Sequence, residues 1–473
     1  MSKHKAGITL SFPGTAAEDV TGSMVLVRTP TATLLIEAGL TQTGSPAEDW
    51  KTNTRRLPFK PSHLDYIFLG HCHADHALLI PRLYAMGCRA TIVAPTGTRE
   101  LFRIMGANSA SILSGEAQCL SRQKKRTVRP YYAPEDVAAA CEHIAEYSCG
   151  EVYCLRDNLR FRFTPSGHIL HAAQLELWLR DGSREVKIGY SSDLGSSIPR
   201  RFVEAFQPIR HCDIFIGECT YAMQPSVQMK DRAKDLERIE HIVRSVCVAQ
   251  GGVVLIPSFS LDRMQNLLCV LHEIFSSDHA FTVPVVLDSP LSMEITHHFI
   301  RAGSDADSAA LFDALRWKNV VCPSSAGESR EWMRSRRPCV VLASAGMMNA
   351  GRSRLWAKEL LPRSNCHILF CGYSSEASLA TQIKNARKGQ KIKIDKERIP
   401  ARCGVTCLRS FSAHMSHDDL LDYYASINAR KIVLVHGDGK RKVQFAHVLQ
   451  ERIEAEGHTT RVVCANSALE LRP

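Results

Sequence analysis

Through the first 200 positions, apolar residues alternate with polar ones or run in short blocks that glycine interrupts. Residues 23–27 and 33–38 predict a hairpin, and 65–70 and 90–94 predict short buried strands. Further strands are expected at 160–164, 175–179 and 186–191. A helix is expected over 77–86, where Pro81 lies near enough to the start to be tolerated. Sheet upon sheet with helices outside is the architecture this pattern implies.

From about residue 220 the rhythm changes. Residues 230–249 set Leu236, Ile239, Ile242, Val243 and Val246 on one helical face, and Gly251-Gly252 stops the pattern. A buried strand at 253–257, a helix at 261–275 and strands at 283–287, 340–343 and 367–371 follow. Such alternation predicts a parallel α/β unit. After about 410 a strand-helix-strand pattern returns, with the apolar run 432–435 ahead of His436. The basic run Arg122-Gln123-Lys124-Lys125-Arg126 predicts a solvated loop, with contact to phosphates as its alternative use.

Composition narrows the class. At 473 residues the chain can hold two or three domains and a large core. Hydrophobic content of 45% and charged content of 23% describe an ordinary soluble protein. The net charge of +11 is compatible with a polyanionic partner such as nucleic acid, although solvated surfaces often carry as much. No apolar run approaches the roughly 20 residues of a membrane span. The start, Met1-Ser2-Lys3-His4-Lys5, reads as neither signal peptide nor anchor, so a cytoplasmic location is expected. Seventeen scattered cysteines without C-x-x-C spacing fit reduced, mostly buried thiols rather than disulfides.

The chemistry concentrates in His71-Cys72-His73-Ala74-Asp75-His76, directly after the predicted strand 65–70. Neutral imidazole and carboxylate are ligand types that zinc prefers. In an extended turn, His71 and His73 can reach one ion while Asp75 and His76 swing toward a second. Two ions in one site point to hydrolysis rather than to structure. Cys72 is expected to turn away into the core. His168, which alone would read as a core or surface histidine, becomes a candidate third ligand for the first ion. Asp193 follows the strand 186–191 and is a candidate bridge between two cations; His436 is a candidate ligand for the second. Glu218 ends a predicted strand at 213–217, and His414 lies in Ser410-Phe411-Ser412-Ala413-His414. A carboxylate beside a histidine raises the imidazole pKa and fixes its tautomer, so this pair could protonate a leaving oxygen. A structural ion pair is the alternative.

These residues resemble the metallo-β-lactamase superfamily, in its β-CASP nucleic-acid-processing branch. The run 71–76 matches H-x-H-x-D-H, and Ser166-Gly167-His168 and Ser192-Asp193 match the next two metal motifs. Gly217-Glu218-Cys219-Thr220-Tyr221, Ser410-Phe411-Ser412-Ala413-His414 and Val435-His436-Gly437 resemble the three motifs of the branch. Ile256-Pro257-Ser258-Phe259-Ser260, Asp288-Ser289-Pro290-Leu291, Ala345-Gly346-Met347-Met348 and Cys371-Gly372-Tyr373 agree as well.

The resemblance implies an α/β fold: an αββα sandwich of residues 1–218 and 411–473, interrupted by a β-CASP domain over 219–410. It implies two zinc ions per chain, one on His71, His73 and His168, the other on Asp75, His76 and His436, with Asp193 bridging them. Asp75, Glu218 and His414 would be catalytic. The implied activity is metal-dependent hydrolysis of phosphodiester bonds in single-stranded RNA, because histidine in the third motif and glutamate at 218 are typical of RNA-processing members. The short stretch after His436 and the early first metal motif resemble the compact prokaryotic relatives of the cleavage and polyadenylation endonuclease. A DNA nuclease and an inactive RNA-binding scaffold are the competing readings. Endonucleolytic cutting versus 5′-exonucleolytic trimming is left open, and a homodimer is suggested by analogy alone. Two departures stand out. Ile36-Glu37-Ala38-Gly39 carries glutamate where the family usually has an aspartate that orients the site rather than binding metal, so the longer carboxylate is expected to shift the groups behind the ligands, and Ser192 stands where glycine is common.

Overall fold

The computed structural model describes residues 7–43, 45–372 and 374–473; the Met1 to Lys5 segment and Tyr373 lie outside the described residues. Two seven-stranded sheets form from the sequence regions of alternating polarity. The first holds, from its middle outward, the antiparallel strands Val25–Arg28 and Thr33–Ile36, then the parallel strands Tyr66–Phe68, Thr91–Pro95 and Ile144–Tyr147. The second runs from the antiparallel strands Leu159–Pro165, Ala173–Asp181 and Arg184–Tyr190 to the parallel strands His211–Glu218, Asn428–Val435 and Arg461–Cys464.

Strand periodicity explains the layers. In the first sheet Val25, Val27, Leu34, Ile36, Phe68 and Val93 face Phe161, Phe163, Leu175, Leu177, Ile188 and Ile216 of the second, and this apolar slab is sealed from water. The alternate residues, Leu26, Leu35, Ile67 and Ile92, point outward against helix residues Leu83, Leu101 and Phe102. On the far side Phe215, Ile432 and Leu434 pack on Tyr424, Phe445 and Leu449. The order helix, sheet, sheet, helix is the αββα sandwich.

After His211–Glu218 the chain leaves the sandwich and builds a third sheet, returning with the helix His417–Ala425 that packs on the strand Asn428–Val435. Its six strands, from Val253–Pro257 to Gly404–Cys407, all pair in parallel. Such strands are buried on both faces, which is why 253–257 reads Val-Val-Leu-Ile-Pro without alternation. Val254 and Ile256 join one core, Val253 and Leu255 another built around Trp356.

Three local expectations change. The helix at 77–86 is two pieces, Ala74–Ala77 and Ile80–Ala85, because Pro81 starts a second helix rather than extending the first. The helix at 230–249 is α-helical over Met229–Val243 and widens to a π-helix over Arg244–Ala249. The basic run at 122–126 is not a loop. It closes the 27-residue helix Thr98–Lys124, where Arg122 and Lys124 meet the negative end of the helix dipole and Lys125 turns left-handed at φ 51°. Among the described residues no helix is long and apolar enough to cross a membrane, and every described cysteine is free.

Candidate metal centre

The strands Tyr66–Phe68, Leu159–Pro165, Arg184–Tyr190, His211–Glu218 and Asn428–Val435 end on one rim of the sandwich. Within three residues of those ends come His71, His168, Asp193, Glu218 and His436. The ligand run itself is held by its neighbours. After His71 and His73 the chain enters the helical turn Ala74–Ala77 instead of an extended turn, and the segment 38–40 straps that turn through Ala38 N–H to His76 O and Leu40 N–H to Ala74 O, both 2.9 Å. The loops carrying His168 and Asp193 touch at Gly195, where a Cβ would lie 1.8 Å from the Gly167 carbonyl oxygen; only glycine permits that approach.

All seven candidate ligands converge, in two adjoining groups. Nε2 of His71 lies 3.1 Å from Nδ1 of His73, and Nε2 of His168 lies 3.3 Å from the same atom. Oδ2 of Asp193 is 3.5 Å from both Nε2 atoms. In the second group, Nε2 of His76 faces Nε2 of His436 at 3.2 Å, and Oδ2 of Asp75 lies 3.5 Å from the latter. Oδ1 of Asp193 approaches His76 Nε2 at 3.3 Å. One carboxylate therefore turns an oxygen to each group.

The imidazoles of the first group are in the state a cation requires. Burial and the neighbouring rings hold the imidazoles of His71 and His168 below their ordinary pKa, and push His73 down to about 3, so these rings are neutral. Burial alone would lower His76 and His436 as well, but the charge of Asp193, joined by Glu37 at His76 and by Asp75 at both, raises them. Those same imidazoles outweigh burial at Asp193 and hold its carboxyl well below the usual range.

A metal fits this donor set on one direct observation. Oδ1 of Asp193 is buried without any hydrogen-bond partner, and bare ring nitrogens point at it, an arrangement that costs energy unless a cation lies between. Each of the two groups brings its donor atoms within 4.8 Å of one another.

Hydrogen bonds behind the rings decide which nitrogen faces inward. His76 Nδ1 donates to Glu37 Oε2 at 2.6 Å, His168 Nδ1 to the Ala413 carbonyl at 3.3 Å, and His436 Nδ1 pairs with Thr220 Oγ1 at 3.0 Å. Tyr190 and Ser192 also donate to Glu37. Tyr190, Thr220 and the Ala413 carbonyl were not legible as site groups. A tyrosine ending an apolar strand reads as core, and a backbone carbonyl has no sequence identity.

Glu218 and His414 meet at the end of the interior strand His211–Glu218. His414 Nδ1 lies 3.4 Å from Glu218 Oε1, and its Nε2 lies 4.0 Å from Asp193 Oδ2. Glu218 is itself anchored by the N–H groups of Leu194 and Thr220, at 3.1 and 2.7 Å. His414 keeps 16% of its side chain exposed, against 4% or less for His71, His76, His168 and His436. Cys72 points away, as expected, its thiol toward the Thr98 carbonyl in the core.

Cations run in mutual electrostatic reach from Arg200, beside His168, through Arg232 and Arg263 to Lys384. The buried Arg200 donates to the His168 carbonyl at 2.7 Å and pairs with Asp262. Arg232 lies over the ring of Phe411, 3.8 Å from its centre. Lys384 Nζ donates to the Gly372 carbonyl at 3.1 Å, and Arg263 donates to that of Cys371. Among the described residues Arg232, Arg263 and Lys384 form no ion pair with a carboxylate, and Nε of Arg263 is buried without an acceptor. Burial, reinforced by Arg200, lowers Arg232; burial, reinforced by Arg263, lowers Lys384.

An αββα sandwich with a buried imidazole–carboxylate cluster on its shared rim defines a metal-dependent hydrolase. Family models match in chain order: Metallo-beta-lactamase superfamily over residues 17–85, Beta-Casp domain over 264–383, and Zn-dependent metallo-hydrolase RNA specificity domain over 398–463. The chain belongs to the β-CASP branch of the metallo-β-lactamase superfamily. It is 27% identical to ribonuclease TTHA0252 of Thermus thermophilus, over 93% of this chain and 96% of that protein. It is 26% identical to the transcription termination factor FttA of Methanocaldococcus jannaschii, over 94% of this chain and 69% of that one. A crystal structure of a protein of unknown function from Enterococcus faecalis V583 aligns over 98% of this chain and 100% of its own, at a TM-score of 0.47 and 12% identity, a likeness too distant to carry an argument.

Proposed function

We propose that the chain is a two-zinc ribonuclease that hydrolyses phosphodiester bonds of single-stranded RNA. Asp193, offering one oxygen to each donor group with Oδ1 otherwise bare, is the observation that carries this reading. His71, His73, His168 and Asp193 would hold one ion; Asp75, His76, His436 and Asp193 the other. Zinc bound there would supply Lewis acidity toward phosphoryl oxygens and would acidify water. The residues 1–218 and 411–473 are read as the two parts of the sandwich domain, with 219–410 as the insertion over it.

The protein's own groups divide the remaining work. Glu218 holds the Nδ1 side of His414, so Nε2 is the nitrogen that faces the donor groups and can pass a proton to the departing oxygen. Asp75 joins the second donor group and retains 22% exposure, which puts it at the mouth of the site. Arg232 and Lys384 offer positive charge that makes no ion pair among the described residues, which suits a phosphate chain. RNA rather than DNA is favoured by the RNA specificity domain over 398–463 and by the ribonuclease relative.

The test uses the full chain, purified and assayed for metal, with matched single-stranded RNA and DNA oligonucleotides, end-labelled and with free or blocked 5′ ends. Two zinc ions per chain and cleavage of RNA in preference to DNA are expected. Preferential DNA cleavage would overturn the substrate, well under two ions the metal count, and an intact RNA in the presence of bound zinc the enzyme reading itself. Internal cuts in blocked RNA identify an endonuclease.

A further inference from the structure

Glu37 and Ser192 both sit in left-handed backbone, at φ 59° and φ 50°, a region that disfavours side chains. Both are buried, at 0% and 2% exposure, so no water can stand in for their side-chain bonds. Ser192 Oγ donates its single proton to Glu37 Oε1 at 2.7 Å. That hydroxyl can then only accept from His71 Nδ1, which lies 3.0 Å away. The other oxygen of the carboxylate, Oε2, accepts from His76 Nδ1 at 2.6 Å. His71 and His76 thus both carry a proton on Nδ1, and both turn Nε2 toward the donor groups. His71 belongs to the first donor group and His76 to the second.

We infer that Glu37 and Ser192 form one positioning unit, a carboxylate lengthened by a hydroxyl, that sets the tautomer of one histidine in each metal group. Neither residue is a ligand. A carboxylate alone would serve His76; the serine carries its influence across to His71. The neighbouring chain makes room for this hydroxyl, since a Cβ on Gly70, just before His71, would lie 2.5 Å from Ser192 Oγ. The unit explains why serine occupies a left-handed position at which glycine would be free of strain: glycine has no proton to give Glu37 and no oxygen to receive one from His71. The two departures noted in the sequence are therefore a single feature. The inference rests on the two-metal reading above.

Ser192→Ala removes the hydroxyl and keeps the strained backbone. Ser192→Gly removes both, and Glu37→Gln removes the charge. With the double variant Glu37→Gln/Ser192→Ala, these are prepared as full chains and stripped of metal. Zinc affinity is read by competition with a chromogenic chelator, metal-free stability by thermal melting, and tautomers by nitrogen–proton NMR on histidine-labelled protein. Each single variant is expected to bind zinc roughly 10–100-fold more weakly. The double variant should lose no more than the weaker single, because both cut one hydrogen-bonded chain. Ser192→Gly should melt no lower than Ser192→Ala. Ser192→Ala should free the tautomer of His71 alone, and Glu37→Gln those of His71 and His76. Multiplicative losses in the double variant, or a Ser192→Ala protein with wild-type zinc affinity and an unchanged His71 tautomer, would overturn the inference and leave the two-metal reading intact. A wild-type chain that takes up no zinc would overturn both.

Discussion

Side chains of the same type do different work at this rim according to what lies behind them. His436 is buried, fixed through Nδ1 by Thr220, and presents Nε2 to Asp75 and His76. His414 is part-exposed, held through Nδ1 by Glu218, and stands 4.0 Å from the Asp193 carboxylate. The contrast separates two outcomes. His436→Ala is expected to lose the metal of the second group and with it most cleavage. His414→Ala is expected to keep the wild-type metal content yet cleave roughly 10²–10⁴-fold more slowly, the usual contribution of a positioned acid. Metal content by elemental analysis and single-turnover rates distinguish them; a metal-depleted His414→Ala protein would make that residue a ligand. The donors themselves were legible because their residue types are chemically specific and closely spaced. Their tautomer-setting partners were not, because Tyr190 and Ser192 acquire that meaning only when Glu37, distant in sequence, lies beside them.

At the scale of elements, strand ends, the loops after them and the helical turn Ala74–Ala77 deliver the candidate donors. The parallel pairing of His211–Glu218 with Asn428–Val435 sets Glu218 opposite Val435, so His436 follows directly beside the acid pair. The contact at Gly195 then joins the loops of His168 and Asp193. Gly195→Ala changes no donor, yet its methyl group has to displace the Gly167 backbone. It should weaken zinc binding and slow cleavage together, with helical content retained, as chelator competition and circular dichroism would report; wild-type affinity would show that the two loops move independently. Periodicity read the buried parallel strands well, since Val253–Pro257 has one meaning in any context. It missed the helix Thr98–Lys124, whose buried face includes Thr98, Gly106, Ser109, Ala110 and Ala117 among its apolar residues. A stripe made partly of small and polar residues gives little hydrophobic contrast, and only the helices packed against it reveal it as an inner face.

For the whole molecule, the sandwich brings histidines from both of its sheets to one rim, and the inserted unit adds Arg263 within electrostatic reach of Arg200, which meets the His168 carbonyl, and Lys384 within reach of Arg263. Charge of this kind acts on a polyanion through counterion release. Arg232→Gln and Lys384→Gln should each weaken binding of a non-cleaved single-stranded RNA and reduce the slope of log affinity against log salt by about 0.7, the loss of one phosphate contact. Fluorescence anisotropy across a salt series measures this, and an unchanged slope would place the RNA path elsewhere. The net charge of +11 said only that a polyanion was compatible; it could not say which of 59 basic residues lack an internal partner.

By itself the sequence determined the element types of the buried strands, the sandwich class and the candidate metal donors, because apolar periodicity and ligand chemistry are local properties of the chain. Tertiary structure alone decided how Asp193 is shared between two groups, which nitrogen each imidazole turns inward, and that Glu37 and Ser192 act as one. Those are matters of distance and of proton ownership between residues far apart along the backbone, and a proton has no owner until donor and acceptor meet in a place water cannot reach.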